Sequence, residues 1–277
     1  MVGALTSFTV MALAARELSA ELNTFQILFF RSAIGLVVIA WLVRRRLELL
    51  RTPQFGTHVT RNLAHYGGQF GWFYGIAFIP LAEVFAIEFT VPVWTAICAM
   101  LILGERMTRS RMLAIALGLA GVALIVRPGA AVIHPAALAV LLGAMAYGVA
   151  HTLTKKLAVR DAPLTILFYM TLIQLPLGLV PSVLDWTTPS APMWPLLVVV
   201  GTTALSAHYC MTRALMLADA SVVVPMDFLR LPLIAVLGWL FYGETVAWQL
   251  FAGAAMILAG VTVNLRSERR KTARSAF

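Results

Sequence analysis

The stretch Ile87-Glu88-Phe89-Thr90-Val91-Pro92, followed by Leu103-Gly104-Glu105, Ala120-Gly121-Val122 and Arg127, is written a second time near the C-terminus. The second copy reads Met226-Asp227-Phe228-Leu229-Arg230-Leu231-Pro232, then Tyr242-Gly243-Glu244, Ala259-Gly260-Val261 and Arg266. Glu88 and Asp227, Glu105 and Glu244, Gly121 and Gly260, and Arg127 and Arg266 are each 139 residues apart. Each copy sets a carboxylate and a proline inside an apolar run that ends at Gly-Glu. A duplicated membrane unit with a polar, breakable helix in each half points to the central site of a transporter.

Composition names the solvent. Of the 277 residues, 61% are hydrophobic and 12% charged, against about 45–50% apolar and 25% charged in soluble domains. That much apolar surface requires lipid. A span needs about 20 mainly apolar residues, and ten runs qualify: 1–18, 25–43, 59–79, 81–103, 110–126, 135–154, 164–184, 193–215, 219–241 and 246–265. The runs are continuous, so they predict helices rather than the alternating strands of an outer-membrane barrel.

The net charge of +9 does not indicate a nucleic-acid partner, because Lys and Arg lie in short groups between the apolar runs. With ten spans, fifteen basic residues fall on one side: Arg44, Arg45, Arg46, Arg51, Arg106, Arg109, Arg111, Lys155, Lys156, Arg160, Arg266, Arg269, Arg270, Lys271 and Arg274. Only Arg16 and Arg127 fall on the other. The positive-inside rule then places both termini in the cytoplasm of a cytoplasmic (inner) membrane protein. No cleavable signal is recognisable. The first run starts at Met1-Val2-Gly3 with no polar flank, so the expectation is that preceding residues have been lost. The tail after Arg266 is expected to be disordered. Cys98 and Cys210 fall inside apolar runs, where a structural disulfide is not expected.

The repeat reaches beyond its clearest stretch. Ile27-Leu28-Phe29-Phe30 recurs as Ile166-Leu167-Phe168-Tyr169, and Gly3-Ala4 as Gly143-Ala144. Five spans per half is an odd number, so the second copy enters the membrane from the opposite side. The expected fold is an all-α polytopic membrane helix bundle, ten transmembrane helices as two inverted five-helix repeats. Residues 1–127 form the first repeat and 128–277 the second, within one integrated domain.

Ionisable groups at membrane depth are costly, and each is a functional-site candidate. At about 1.5 Å per helical residue, Glu88 lies about 10 Å from the outer face and Asp227 about 12 Å from the inner one. Arg230 shares a helix face with Asp227. The pair either meets a substrate or coupled ion, or only stitches helices together. Arg31 reaches a depth similar to Glu88, so an Arg31–Glu88 pair is expected. His65, His151 and His208 fall within spans and are either proton carriers or hydrogen-bonded packing groups; no His spacing suggests a metal ligand. Tyr66 and Gln69 follow His65 on a polar-aromatic face. Trp94 and Tyr147 are candidates to stack on a substrate, Trp94 just past an expected kink at Pro92. Gly67, Gly71 and Gly75 are spaced for close helix packing. Glu105 and Glu244 are expected to bond backbone ends at the interface. There is no phosphate-binding loop, zinc-protease or nucleophile-elbow motif, and no cofactor is implied.

Phe29-Phe30-Arg31, the run through Pro92 to Leu103-Gly104-Glu105, and Gly118-Leu119-Ala120-Gly121-Val122 resemble the drug/metabolite transporter superfamily in its EamA-type branch, over essentially the whole chain. Within that branch the chain is similar to aromatic amino-acid exporters of the YddG type. The second half departs from the pattern, with Met170 at the repeat position of Arg31. The resemblance implies export of aromatic and other neutral amino acids by alternating access. Part of the expected cavity lining, from spans 1, 3, 4, 6, 8 and 9, also comes from it. The substrate-binding candidates are His65, Gln69, Glu88, Trp94, Tyr147, His151, Asp227 and Arg230. The expected partners are a small amphipathic metabolite, protons and membrane lipid. The alternatives are a multidrug or other metabolite permease of the same superfamily, uptake carriers included, or an integral-membrane enzyme using Glu88, Asp227 and the histidines as acid–base groups.

Overall fold

The computed structural model describes residues 1–126 and 134–243 and, beyond these, residues 248, 249, 251–253, 255, 256, 259, 260, 262, 263, 266 and 267. Three of the repeat markers, Arg127, Glu244 and Val261, and residues 268–277 of the tail expected to be disordered lie outside them. Among the described residues there are helices and no strands. The first half contains Val2–Leu18 (α1), Thr24–Val43 (α2), Phe55–Phe78 (α3), Leu81–Glu88 (α4), Val91–Leu103 (α5) and Arg109–Val126 (α6). Then come Pro135–Leu157 (α7), Pro163–Ser182 (α8), Met193–Leu217 (α9), Ala220–Val223 (α10) and, after a 3-10 segment Val224–Leu229, Arg230–Tyr242 (α11).

Among the described residues, five helical segments are long and apolar enough to cross a membrane: Thr24–Val43, Leu81–Leu103, Pro135–Leu157, Pro163–Asp185 and Met193–Leu217. The 24-residue α3 falls outside that set. It carries His58, Arg61, Asn62, His65 and Gln69, all buried, on one face, which lowers its hydropathy. Among 220–242, the breaks between α10, the 3-10 segment and α11 leave only short helices.

The apolar run 81–103 is two helices rather than one kinked helix. α4 ends at Glu88, Phe89 and Thr90 turn, and Pro92 stands in the first turn of α5, where a missing N–H costs nothing. Residues 220–242 break in the same way, with Asp227 in the 3-10 segment. Irregular backbone at membrane depth is tolerated where it lines a cavity, and both breaks do so. α5 and α11 both close on left-handed glycines, Gly104 (φ 69°) and Gly243 (φ 63°), 139 residues apart. Glycine takes this conformation without the Cβ clash other residues meet.

Helix ends are tied down twice by one device. Arg16 donates to the carbonyls of Ile76 and, at 3.1 Å, Ile79, at the end of α3. Lys155 donates to the carbonyls of Leu215 at 2.8 Å and Ala218 at 2.6 Å, at the end of α9. All three residues are shifted by the repeat spacing, and in each case a cation satisfies carbonyls the helix leaves open. Glu105 accepts from the backbone N–H of Ala220 at 3.1 Å, opening α10.

Helices early in the chain pack on helices late in it. α1 lies on α9, α3 on α7, and α2 on α8. The α3–α7 contact is a backbone contact: a Cβ on Gly71 would stand 2.2 Å from the carbonyl oxygen of Ala139, and one on Gly143 3.0 Å from that of Gly68. The stripe that permits it is Gly68, Gly71 and Gly75. Gly67, expected in it, is exposed with open space around it. Helical periodicity admits either glycine of the Gly67-Gly68 pair, and the α7 partner selects the second.

Candidate functional site

The breaks in 81–103 and 220–242 meet at a narrow cavity. Its walls come from α1, α2, α3, the α4–α5 break, α7, α9 and the α10–α11 break. Five pairs of wall residues stand 139 apart: Phe8 and Tyr147, Gln69 and His208, Trp72 and Met211, Glu88 and Asp227, Val91 and Arg230. The cavity is thus built twice from the same positions, with different side chains at most of them.

One wall is an acid cluster around a single cation. Arg230, 1% exposed, donates from Nη2 to Glu88 Oε1 at 3.0 Å and to Asp227 Oδ2 at 2.6 Å. Its guanidinium is sandwiched between the rings of Phe8 (4.9 Å) and Phe85 (4.7 Å), a favourable cation–π arrangement away from water. The Trp72 indole donates to Glu88 Oε2 at 2.8 Å. Two carboxyl groups share one guanidinium, and Asp227 Oδ1 has no hydrogen-bond partner among the described residues.

The facing wall is cationic. Arg31, 2% exposed, donates from Nη1 to Gln69 Oε1 at 2.9 Å and to Gln174 Oε1 at 3.4 Å. The amide nitrogens of both glutamines contact His65 Nδ1, at 2.6 and 2.9 Å. Gln174 also donates to Asn62 Oδ1 at 3.1 Å, which accepts from the buried Arg61 at 2.8 Å. The rings of His65 and His208 meet edge-on at 4.6 Å, and Tyr147 approaches His151 at 6.0 Å.

Of the residues singled out in the sequence, Gln69, Glu88, Tyr147, His151, Asp227 and Arg230 line the cavity. His65 stands behind the wall, orienting the two glutamines. Trp94 does not line it: the indole is tied to Thr90 at 3.3 Å, and its Cβ lies where a Cβ on Gly148 would sit 2.5 Å away. The helix restarts at Val91 instead of kinking, which turns Trp94 toward α7. Asp227 and Arg230, which share a helix face, form an ion pair. The Arg31–Glu88 pair does not, because Glu88 is on Arg230 while Arg31 faces α3 and α8; depth along a helix does not fix facing. Arg61, Asn62 and Gln174 were not singled out. A signal existed for the first two, since His58, Arg61, Asn62, His65 and Gln69 recur at the spacing of one helix face.

Comparison with known proteins agrees with this geometry. The model of the EamA-like transporter family matches residues 1–127 and again 134–266. The chain is 31% identical to a "Riboflavin transporter" of Brucella anthropi over 90% of either chain. It is 25% identical to an "S-adenosylmethionine uptake transporter" of Rickettsia prowazekii, covering 92% of this chain and 87% of that one. A crystal structure at 20% identity superposes with a TM-score of 0.80 over 97% of this chain and 96% of the other, which shows the fold alone. These relatives are named for a vitamin and a nucleoside cofactor, so the expectation of amino-acid export finds no support in them. With the family matched in both halves and a relative of 31% identity spanning nine tenths of it, this chain belongs to the EamA-like transporter family and is a multi-pass membrane protein.

Proposed function

We propose that the chain is a carrier of small, polar heteroaromatic metabolites, with riboflavin the first candidate, working by alternating access in the cytoplasmic membrane. The observation that carries this reading is the central cavity, with aromatic walls and opposed acidic and cationic faces. A flat ring with hydrogen-bonding edges would lie against Trp72, Tyr147 and Phe8, its polar groups toward the two charged walls. The Brucella relative's name points the same way.

In this reading ten spans form two inverted halves, 1–127 and 128–277, with both termini cytoplasmic. Reciprocal packing of α1 on α9 and α3 on α7, with α2 on α8, is what a two-fold axis in the membrane plane generates. The repeated wall positions would lie about that axis, where rocking of one half against the other opens each side in turn.

The test is counterflow of labelled riboflavin in proteoliposomes, with S-adenosylmethionine and tryptophan as competitors. Saturable riboflavin counterflow, little reduced by tryptophan, is expected, and Glu88→Gln and Asp227→Asn are each expected to lower it about tenfold. Tryptophan flux without riboflavin flux, or unchanged transport by both variants, refutes this reading. One observation favours a second: the two acidic side chains gathered at Arg230 suit a sulfonium cation, and stronger counterflow of S-adenosylmethionine would select it.

A further inference from the structure

We infer that the free edge of the Arg31 guanidinium, formed by Nε and Nη2, is the substrate anchor, taking two adjacent acceptor atoms side by side. The inference rests on the reading of the cavity as the substrate site, and adds to it the chemistry the substrate must present there.

The geometry selects this edge. Arg31 contributes to the cavity wall and is 2% exposed. Both its protein hydrogen bonds leave from Nη1, to Gln69 and Gln174. Nε and Nη2 are buried with no partner among the described residues. Those two N–H groups point the same way, as a parallel fork that fits a carboxylate or any planar pair of neighbouring acceptors. Neutral amides hold the group without cancelling its charge. The described carboxylates of the cavity, Glu88 and Asp227, are both committed to Arg230, and Arg61 nearby adds positive charge. A buried cation with two open donors is costly, and a ligand that supplies both acceptors removes the cost.

The repeat makes this anchor one-sided. Met170 stands at the equivalent position, buried and apolar, so the fork belongs to the first half alone. Two sources offer the same pair of acceptors. One is the edge of a flavin-like ring, where a carbonyl oxygen neighbours a ring nitrogen; the other is a carboxylate, as in S-adenosylmethionine.

The experiment measures Kd by equilibrium binding on purified full-length protein, for four probes: riboflavin, deazariboflavin with C–H in place of that ring nitrogen, S-adenosylmethionine and its methyl ester. Arg31→Lys keeps the charge and loses the fork, and is expected to weaken binding of the preferred ligand about ten- to a hundredfold. Wild-type protein is expected to prefer riboflavin over deazariboflavin if the ring edge is used, or the free acid over its ester if the carboxylate is. Arg31→Lys is expected to erase that preference. Wild-type protein that binds both members of each pair equally overturns the proposal without any variant. So does a folded, monodisperse Arg31→Lys protein with wild-type Kd and an intact preference; in that case riboflavin counterflow stands and the carrier reading survives. Wild-type protein that binds neither parent compound refutes both.

Discussion

Arg230→Met is expected to abolish transport and to lower the yield of folded protein sharply. The guanidinium faces Glu88 at 3.0 Å and Asp227 at 2.6 Å and is enclosed by two aromatic rings. Methionine fills much of the same volume but leaves two carboxylates together in a space largely closed to water. Removing one partner of a buried ionic cluster costs about 3–5 kcal/mol. Arg230→Lys keeps the charge and gives up the planar fork, so an intermediate loss is expected. The triple variant Arg230→Met, Glu88→Gln, Asp227→Asn removes all the charges together. It is expected to regain most of the stability, as neutral replacements of buried ion clusters do, and none of the transport. Size-exclusion profiles and melting temperatures in detergent read the first effect, counterflow the second. An Arg230→Met protein as stable as wild type would show that the cluster is not the structural tie described.

Gly71→Ala is expected to be nearly as damaging to assembly, while Gly67→Ala, four residues away, is expected to be harmless. A Cβ at Gly71 would meet the Ala139 carbonyl oxygen at 2.2 Å and its carbon at 2.9 Å. Backbone cannot step aside as a side-chain tip does, so α3 and α7 must separate along their whole contact. Overpacking costs about 1–3 kcal/mol and sometimes more, and here it strikes an interface between the two proposed halves. Gly67 has nothing within 4 Å of its would-be Cβ. Alanine there gains about 1 kcal/mol of helix propensity. Melting temperatures of the two variants are expected to move in opposite directions; equal shifts would contradict the backbone contact.

The two glycines show where the sequence stops being informative. Spacing announces that α3 packs closely on a neighbour, but the choice between Gly67 and Gly68 depends on where α7 sits. The same limit explains Arg31 and Trp94. Depth in the bilayer follows from residue counting, and it put Arg31 level with Glu88. Rotation about the helix axis does not follow, and it separates them. Trp94 turns toward α7 because Pro92 begins a helix instead of bending one. What was legible came from duplication. Glu88 and Asp227 stand out because they occupy one position in two copies, and the structure brings both to Arg230. Gln69 and His208 occupy another shared position, although their side chains differ. The polar cluster behind the wall draws on Asn62, Arg61 and Gln174 from two helices that are distant in sequence; its parts are visible in the chain and its assembly is not.

In the proposed carrier the cavity lies between two halves inserted in opposite directions. Ala20 and Val159 are exposed, 139 residues apart, and follow the equivalent helices α1 and α7. In a background with Cys98 and Cys210 replaced by serine, Ala20→Cys and Val159→Cys can be treated with a membrane-impermeant thiol reagent in right-side-out vesicles. Labelling of the Ala20→Cys protein in intact vesicles, and of the Val159→Cys protein only after permeabilisation, is the predicted result. Equal labelling of both from the outside would place the two halves the same way up and contradict the account.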